Sequence, residues 1–198
     1  MMLIEQTSVP GTALPVAEFK DHLLLGTGFT GASLQDPVLE NYLRAAIAAI
    51  EARTGKVLIE KQYLWSISAW REPCRQALPL APISAVTAVR LVDGLGVASA
   101  VSPAAYRLEQ DMHRPVLWGA SGSLPRIPVS GGAEIEFLAG YGPAWSDVPE
   151  DLGQAVMMLA AHYYENRNAS AGETVMPFGV SSLIQRYRNV RILGGGAK

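Results

Sequence analysis

The chain has 198 residues, 49% of them hydrophobic and 17% charged, and a formal net charge of −2. That supplies apolar material for one domain core, and near-neutrality argues against a surface built to grip duplex DNA by its phosphates. The single cysteine, Cys74, rules out an intrachain disulfide, and no apolar run approaches the ~18 residues that a membrane helix requires.

Residues 1–15 read as an arm, punctuated by Pro10, Gly11 and Pro15, with apolar residues that follow no period. The opening MMLIEQTSVPGTALPV lacks the basic start and long apolar stretch of a signal peptide. A first helix is predicted over about 16–25, because Val16, Phe19 and Leu23 fall on one side. The segment GTGFTGASLQ then reads as a loop. A second helix is predicted over about 37–54. Asp36 can cap it, Pro37 suits its first turn, Leu39, Leu43, Ala46, Ile47 and Ile50 make its stripe, and Gly55 ends it.

From Val57 the period changes to two. Tyr63, Trp65, Ile67 and Ala69 alternate with Gln62, Leu64, Ser66 and Ser68, the pattern of a half-buried strand. Pro79 and Pro82 break any helix in LPLAPIS. AVTAVRLVD reads as a strand ending at the Asp93-Gly94 turn. AYRLEQD, PVLWG and AEIEFLAGYG read as further strands, the last with Ile135 and Phe137 opposite Glu134, Glu136 and Leu138. The span of about 57–142 is therefore β-rich and antiparallel. Helix returns over about 149–166, opened by Pro149 with Glu150 and Asp151 in the first turn, where the helix dipole favours negative charge. A shorter helix is predicted over about 180–188, with Leu183, Ile184 and Tyr187 on its apolar side. The expected fold class is α+β: a helical unit closed by its first and last segments, with a β-rich insertion.

The chemistry-bearing residues form no recognisable catalytic set. GTGFTG fits GxGxxG, but a dinucleotide loop needs a strand before it and a helix opening directly on it; here a helix precedes, so a plain loop is expected. Asp111 and His113 make one D-x-H pair with no second pair to complete a metal site. His162 and Glu165 are spaced for a local contact on a helix. Cys74 lies between Arg71 and Arg75 without a histidine close in sequence. Trp65, Trp70, Trp118 and Trp145 could stack bases, but the β region carries seven basic against seven acidic residues, so packing is the better reading. No cofactor and no metal are expected. The C-terminal segment stands apart, because Arg186, Arg188, Arg191 and Lys198 follow the last acidic residue, Glu173, and interleave with Leu183, Ile184 and Tyr187. It reads either as a solvated tail whose cations complement a helix C-terminus or as a docking peptide for a partner's groove.

Five short segments, in order, carry a family resemblance: the TGK turn (Thr54, Gly55, Lys56), the AGYG turn (Ala139 to Gly142) with VPEDL after it, the HYYENR helix end, and PFG before the last helix. Over about 14–188 the chain resembles the head–tail connector (adaptor) proteins of long-tailed phages and gene transfer agents. That resemblance implies a mainly helical connector domain with a β insertion, without catalysis or cofactor. It implies a ring of about twelve subunits with heterologous, closing contacts. The ring would sit below the portal protein and hold a downstream stopper, neck or tail protein. Double-stranded DNA would pass through its lumen without sequence-specific binding, and no membrane would be involved. The place implied is the virion neck, assembled in the bacterial host cytoplasm. Residues 179–198 would be the docking tail, with Phe178, Leu183, Ile184, Arg186, Tyr187, Arg188 and Arg191 as portal-binding residues, and its removal should leave the domain folded. Other neck proteins, such as a stopper or tail terminator, and a nucleic-acid-binding accessory protein are the alternatives.

Overall fold

The computed structural model describes residues 1–24, 35–166 and 176–188. The GTGFTG loop and Arg191 lie outside them.

The α+β class expected from the patterning holds, with four α-helices and two antiparallel sheets among the described residues. The helices are α1 (Val16–His22), α2 (Asp36–Thr54), α3 (Glu150–Glu165) and α4 (Phe178–Ile184). α1 is shorter than its pattern suggested, because Leu24 turns into the left-handed region (φ 54°) and points to solvent. α4 starts earlier than expected, directly after Pro177, and tightens into a 3-10 turn over Gln185–Tyr187. The stripes of α2 and α3 bury Leu39, Leu43, Ile50, Leu152, Val156 and Leu159 against each other, and Phe19 of α1 and Val180 and Ile184 of α4 close the cluster.

The larger sheet runs in the order β1-β2-β8-β4-β5, all neighbours antiparallel. Its strands are β1 (Met2–Glu5), β2 (Lys61–Ile67), β4 (Ile83–Val92), β5 (Ala98–Ala100) and β8 (Gly132–Ala139). A smaller sheet, β3-β7-β6, comprises β3 (Arg75–Ala77), β6 (Tyr106–Glu109) and β7 (Val116–Gly119). Tyr63, Trp65 and Ile67 of β2 and Ile135 and Phe137 of β8 are buried in alternation, as the period of two requires. They pack with Leu117 of the small sheet in a second apolar cluster. Ala69, expected on the same face, lies beyond the end of β2 and is exposed.

The two clusters meet at three consecutive residues. Val57 belongs to the sheet core, and Leu58 and Ile59 to the helical core; all are nearly inaccessible. The TGK turn leads into this junction. Gly55 takes φ 67° and donates its N–H to Glu51 O, the left-handed helix end that glycine supplies without a Cβ penalty. The Thr54 hydroxyl donates to Ile50 O and accepts from Lys56 N. The AGYG turn closes the other side. Gly140 has φ 142°, and any Cβ there would overlap the backbone of Glu60; Glu60 N donates to Gly142 O at 2.8 Å and Tyr141 N to Leu58 O.

Three strands, β1, β3 and β5, had no counterpart in the patterning. β1 lies within the N-terminal arm and pairs with β2, Met2 opposite Ser66 and Glu5 opposite Tyr63. All four of its residues are exposed, so its sequence carries no buried alternation to read.

Candidate partner-docking segment

α4 and its 3-10 turn cannot serve as a detached tail. Val180, Ile184 and Tyr187 are each no more than 3% exposed and belong to the helical core, with Leu183 packed at its border. Gly179 sits so close to Met158 of α3 that a Cβ would meet its Cε at 2.7 Å. The polar side of the segment is anchored as well. The Tyr187 hydroxyl donates to Asp151 Oδ1 at 2.7 Å, and Arg186 Nη2 lies 2.7 Å from Asp151 Oδ2. The guanidinium also donates to the Tyr187 hydroxyl and lies 4.7 Å from its ring centroid. Burial and the hydrogen bond to Asp151 raise the Tyr187 phenol above its ordinary value. Asp151 thus does more than complement the dipole of α3: it ties the C-terminal segment to that helix. Nothing in the spacing of 151 and 187 announces this pair, 36 residues apart.

The residues expected to bind a partner therefore divide. Ile184 and Tyr187 spend their apolar surface inside the subunit, and Arg186 is paired although its side chain is 70% exposed. Phe178 is 88% exposed and Arg188 is exposed, so these two of the expected residues keep their side chains clear of the core. The expectation that residues 179–198 can be removed without loss of fold changes accordingly: a cut that spares the core must fall after Arg188.

Several of the other chemistry-bearing residues have structural partners. Lys56 is fully buried; its ammonium donates to Met112 O and lies 3.1 Å from His113 Nδ1, and burial lowers its pKa. Asp111 Oδ1 accepts from His113 N and Arg114 N, and these two bonds hold its carboxyl below the usual range. The D-x-H pair is thus a turn, pinned from beneath by the TGK lysine. Lys61 bridges Glu51 (3.0 Å) and Glu5 (3.2 Å), joining α2 to β1 and β2. Burial opposes the charge on Lys61, but the two carboxylates prevail and raise its pKa; burial raises Glu51. His162 meets Asn166 at 3.1 Å. Among the described residues no three of His, Cys, Asp and Glu cluster as metal ligands, and no helix is long and apolar enough to cross a membrane.

Three of the tryptophans serve packing: Trp65 in the sheet core, Trp70 through a bond from Nε1 to Pro125 O, and Trp145 against the helical core. Trp118 lies between the guanidinium groups of Arg75 and Arg107, 5.5 Å from each, on the outer row of the small sheet. Those cations are paired with Glu72 and Glu109, so the row carries no basic excess. A shallow cleft of about 490 Å³ lies beside α1 and α3, lined by Glu18, His22, Trp145, Glu150 and Gln154 among others.

No family model matches the chain, and no curated protein matches it. Solved structures do. The chain is 55% identical to one in the neck of an empty gene transfer agent particle computed with C6 symmetry, with a TM-score of 0.90 over 98% of this chain and 99% of that one. It is 52% identical to a chain in the neck of a native particle computed with C12 symmetry (TM-score 0.85, the same coverage). It is 54% identical to a chain in the virion of a native gene transfer agent particle (TM-score 0.87, again over 98% and 99%).

Proposed function

We propose that this chain, which belongs to the neck proteins of gene transfer agent particles, is the adaptor subunit of such a neck. It forms a ring of about twelve copies with closing heterologous contacts, docks beneath the portal protein, and carries the DNA channel on to the next neck or tail protein. Its role is structural, and its place is the virion neck. The observation that carries this reading is likeness to neck chains over the full length of both partners. Adaptor rather than stopper is favoured by the ordered TGK, AGYG, VPEDL, HYYENR and PFG segments. It is favoured also by the exposure of Phe178 and Arg188, at the two ends of the last helical segment. The balanced charge of the β region suits a lumen in which a duplex must slide, since phosphate contacts would hold it.

The test is a chain lacking 189–198, which spares Val180, Ile184 and Tyr187. Folded protein absent from portal-bearing particles is the expected result. Particles with a normal neck would remove the docking role from that end. Cross-linking of intact wild-type particles separates the alternatives. An adaptor must couple to the portal, whereas a stopper couples only to other neck rings.

A further inference from the structure

A ring built by rotation needs two different, complementary patches on opposite sides of each subunit. The larger sheet has two free edges, β1 and β5, at opposite ends of its strand order. Seven of the eleven exposed large apolar residues among the described ones gather there. Met1, Met2, Leu3 and Ile4 lie at β1, and Leu95 and Val97 lead into β5. Val129 flanks the same turn, its carbonyl close to Gly94. Sheet edges in monomers are normally blunted by lysine, proline or a covering loop. Neither MLIE nor ASA carries a lysine or proline, and the carboxylate of Glu5 is directed to Lys61.

We propose that β5 of one subunit pairs with β1 of the next, so that the larger sheet continues around the ring; this rests on the ring-forming reading above. The occupant of each edge is therefore a second copy of this chain. Backbone geometry supports the pairing. The bond from Gln6 N to Gln62 O fixes which groups of β1 face β2, and alternation turns the N–H and C=O of Leu3 and Glu5 outward. In the same way the bonds Val101 N to Val89 O and Asp93 N to Val97 O turn those of Ala98 and Ala100 outward. Each edge thus offers two residues' worth of unused donors and acceptors. Four successive antiparallel pairings leave β1 and β5 pointing the same way, so a rotated neighbour meets its partner in parallel.

The dimensions are consistent with a twelvefold ring. Five strands at about 4.8 Å give about 24 Å per subunit, and twelve such sheets give a radius of about 46 Å. β1 lies level with Glu134 to Phe137 of β8, and β5 with Gly132 to Glu134. That offset of roughly 8 Å brings neighbouring edges level if the strands lean about 20° from the ring axis, a modest tilt for a closed sheet.

The experiment uses intact particles in a Cys74→Ser background, with one cysteine at Leu3 or Ile4 and one at Ser99 or Ala100. Mild oxidation should give a ladder of covalent oligomers on a non-reducing gel, lost with reductant; the two positions stand at opposite sheet edges within one subunit. Monomer alone, from particles whose necks show the ring by electron microscopy, would overturn the pairing while leaving the adaptor reading intact. Wild-type particles without this chain in a neck ring would overturn both. As a second variant, Ala100→Pro removes an outward N–H that its own subunit does not use. It should give folded protein by circular dichroism that is depleted at least tenfold from particles. Retention at wild-type copy number would also overturn the pairing.

Discussion

Replacing Ile184 by alanine separates the two roles of the last helix. The side chain is 1% exposed and packs among Val180, Tyr187 and the stripe of α3. Removing its methyl and methylene groups loses burial and leaves a cavity, at a cost of about 2–5 kcal/mol. In a domain of this size each kcal/mol lowers the melting temperature by about 2–4 °C, so a drop of about 4–20 °C is expected. Phe178→Ala, six residues earlier, serves as the contrast. That ring is 88% exposed, so truncation should change stability by no more than about 0.5 kcal/mol. It should nevertheless lower incorporation into particles. Differential scanning fluorimetry of both purified variants, with particle composition read by gel, makes the comparison. An unchanged melting temperature for Ile184→Ala, or equal losses for both, would refute the division of this segment into a core face and a partner face.

Three further outcomes are expected. Gly140→Ala forces a Cβ into the backbone of Glu60 at a positive φ and should cost at least about 3 kcal/mol by urea denaturation, where Gly153→Ala, in the first turn of α3 and facing only Trp145, should not. The Tyr141 hydroxyl is buried without a hydrogen-bond partner among the described residues, so Tyr141→Phe should stabilise the subunit by about 1 kcal/mol; a loss would mean that the hydroxyl has a partner. Burial lifts the phenols of Tyr63 and Tyr141 from 10.0 to about 12. In that window the folded chain keeps protons the unfolded chain has shed, so stability should fall as pH rises from 10 to 12. Lys56, lowered from 10.5, acts in the opposite sense below that pH. Urea midpoints across pH 9–12 should therefore bend downward above 10, less steeply in Tyr141→Phe.

Much of the fold was legible because burial leaves a period. α2, α3, β2 and β8 each have one face in a core, and their apolar residues recur at 3.6 or at two. β1 was not legible for the opposite reason: an edge strand with both faces in solvent has no alternation to display. The C-terminal segment was legible only in part. Its amphipathic stripe was visible, but a stripe does not say whether it meets its own chain or another. Asp151 and Gly179 settle that for Ile184 and Tyr187, through a contact 36 residues long and a close approach to Met158, and neither leaves a local signal.

The position of the two cores bears on how such a subunit can serve in a neck. The proposed axial contact starts from a segment whose Arg186 and Tyr187 are fastened to α3 by Asp151 and whose Val180 and Ile184 lie in the helical core. The proposed lateral contacts, β1 and β5, belong to the sheet. Force or displacement passing between them can cross at Val57–Ile59, where TGK and AGYG meet, or along residues 6–15, whose Val9 and Leu14 are buried in the helical core. Both turns require glycine, at Gly55 and Gly140, because the backbone there is left-handed or crowded. A third link crosses the same boundary, since Lys61 holds Glu51 of α2 and Glu5 of β1 together. The edge strand proposed to meet the neighbouring subunit is thereby fixed to the helix that packs on α3. Lys61→Met should therefore loosen β1 and weaken ring formation before it unfolds the core. Amide exchange that rises in residues 2–6 but not in α3 would support that order of events, and uniform loss of protection would contradict it.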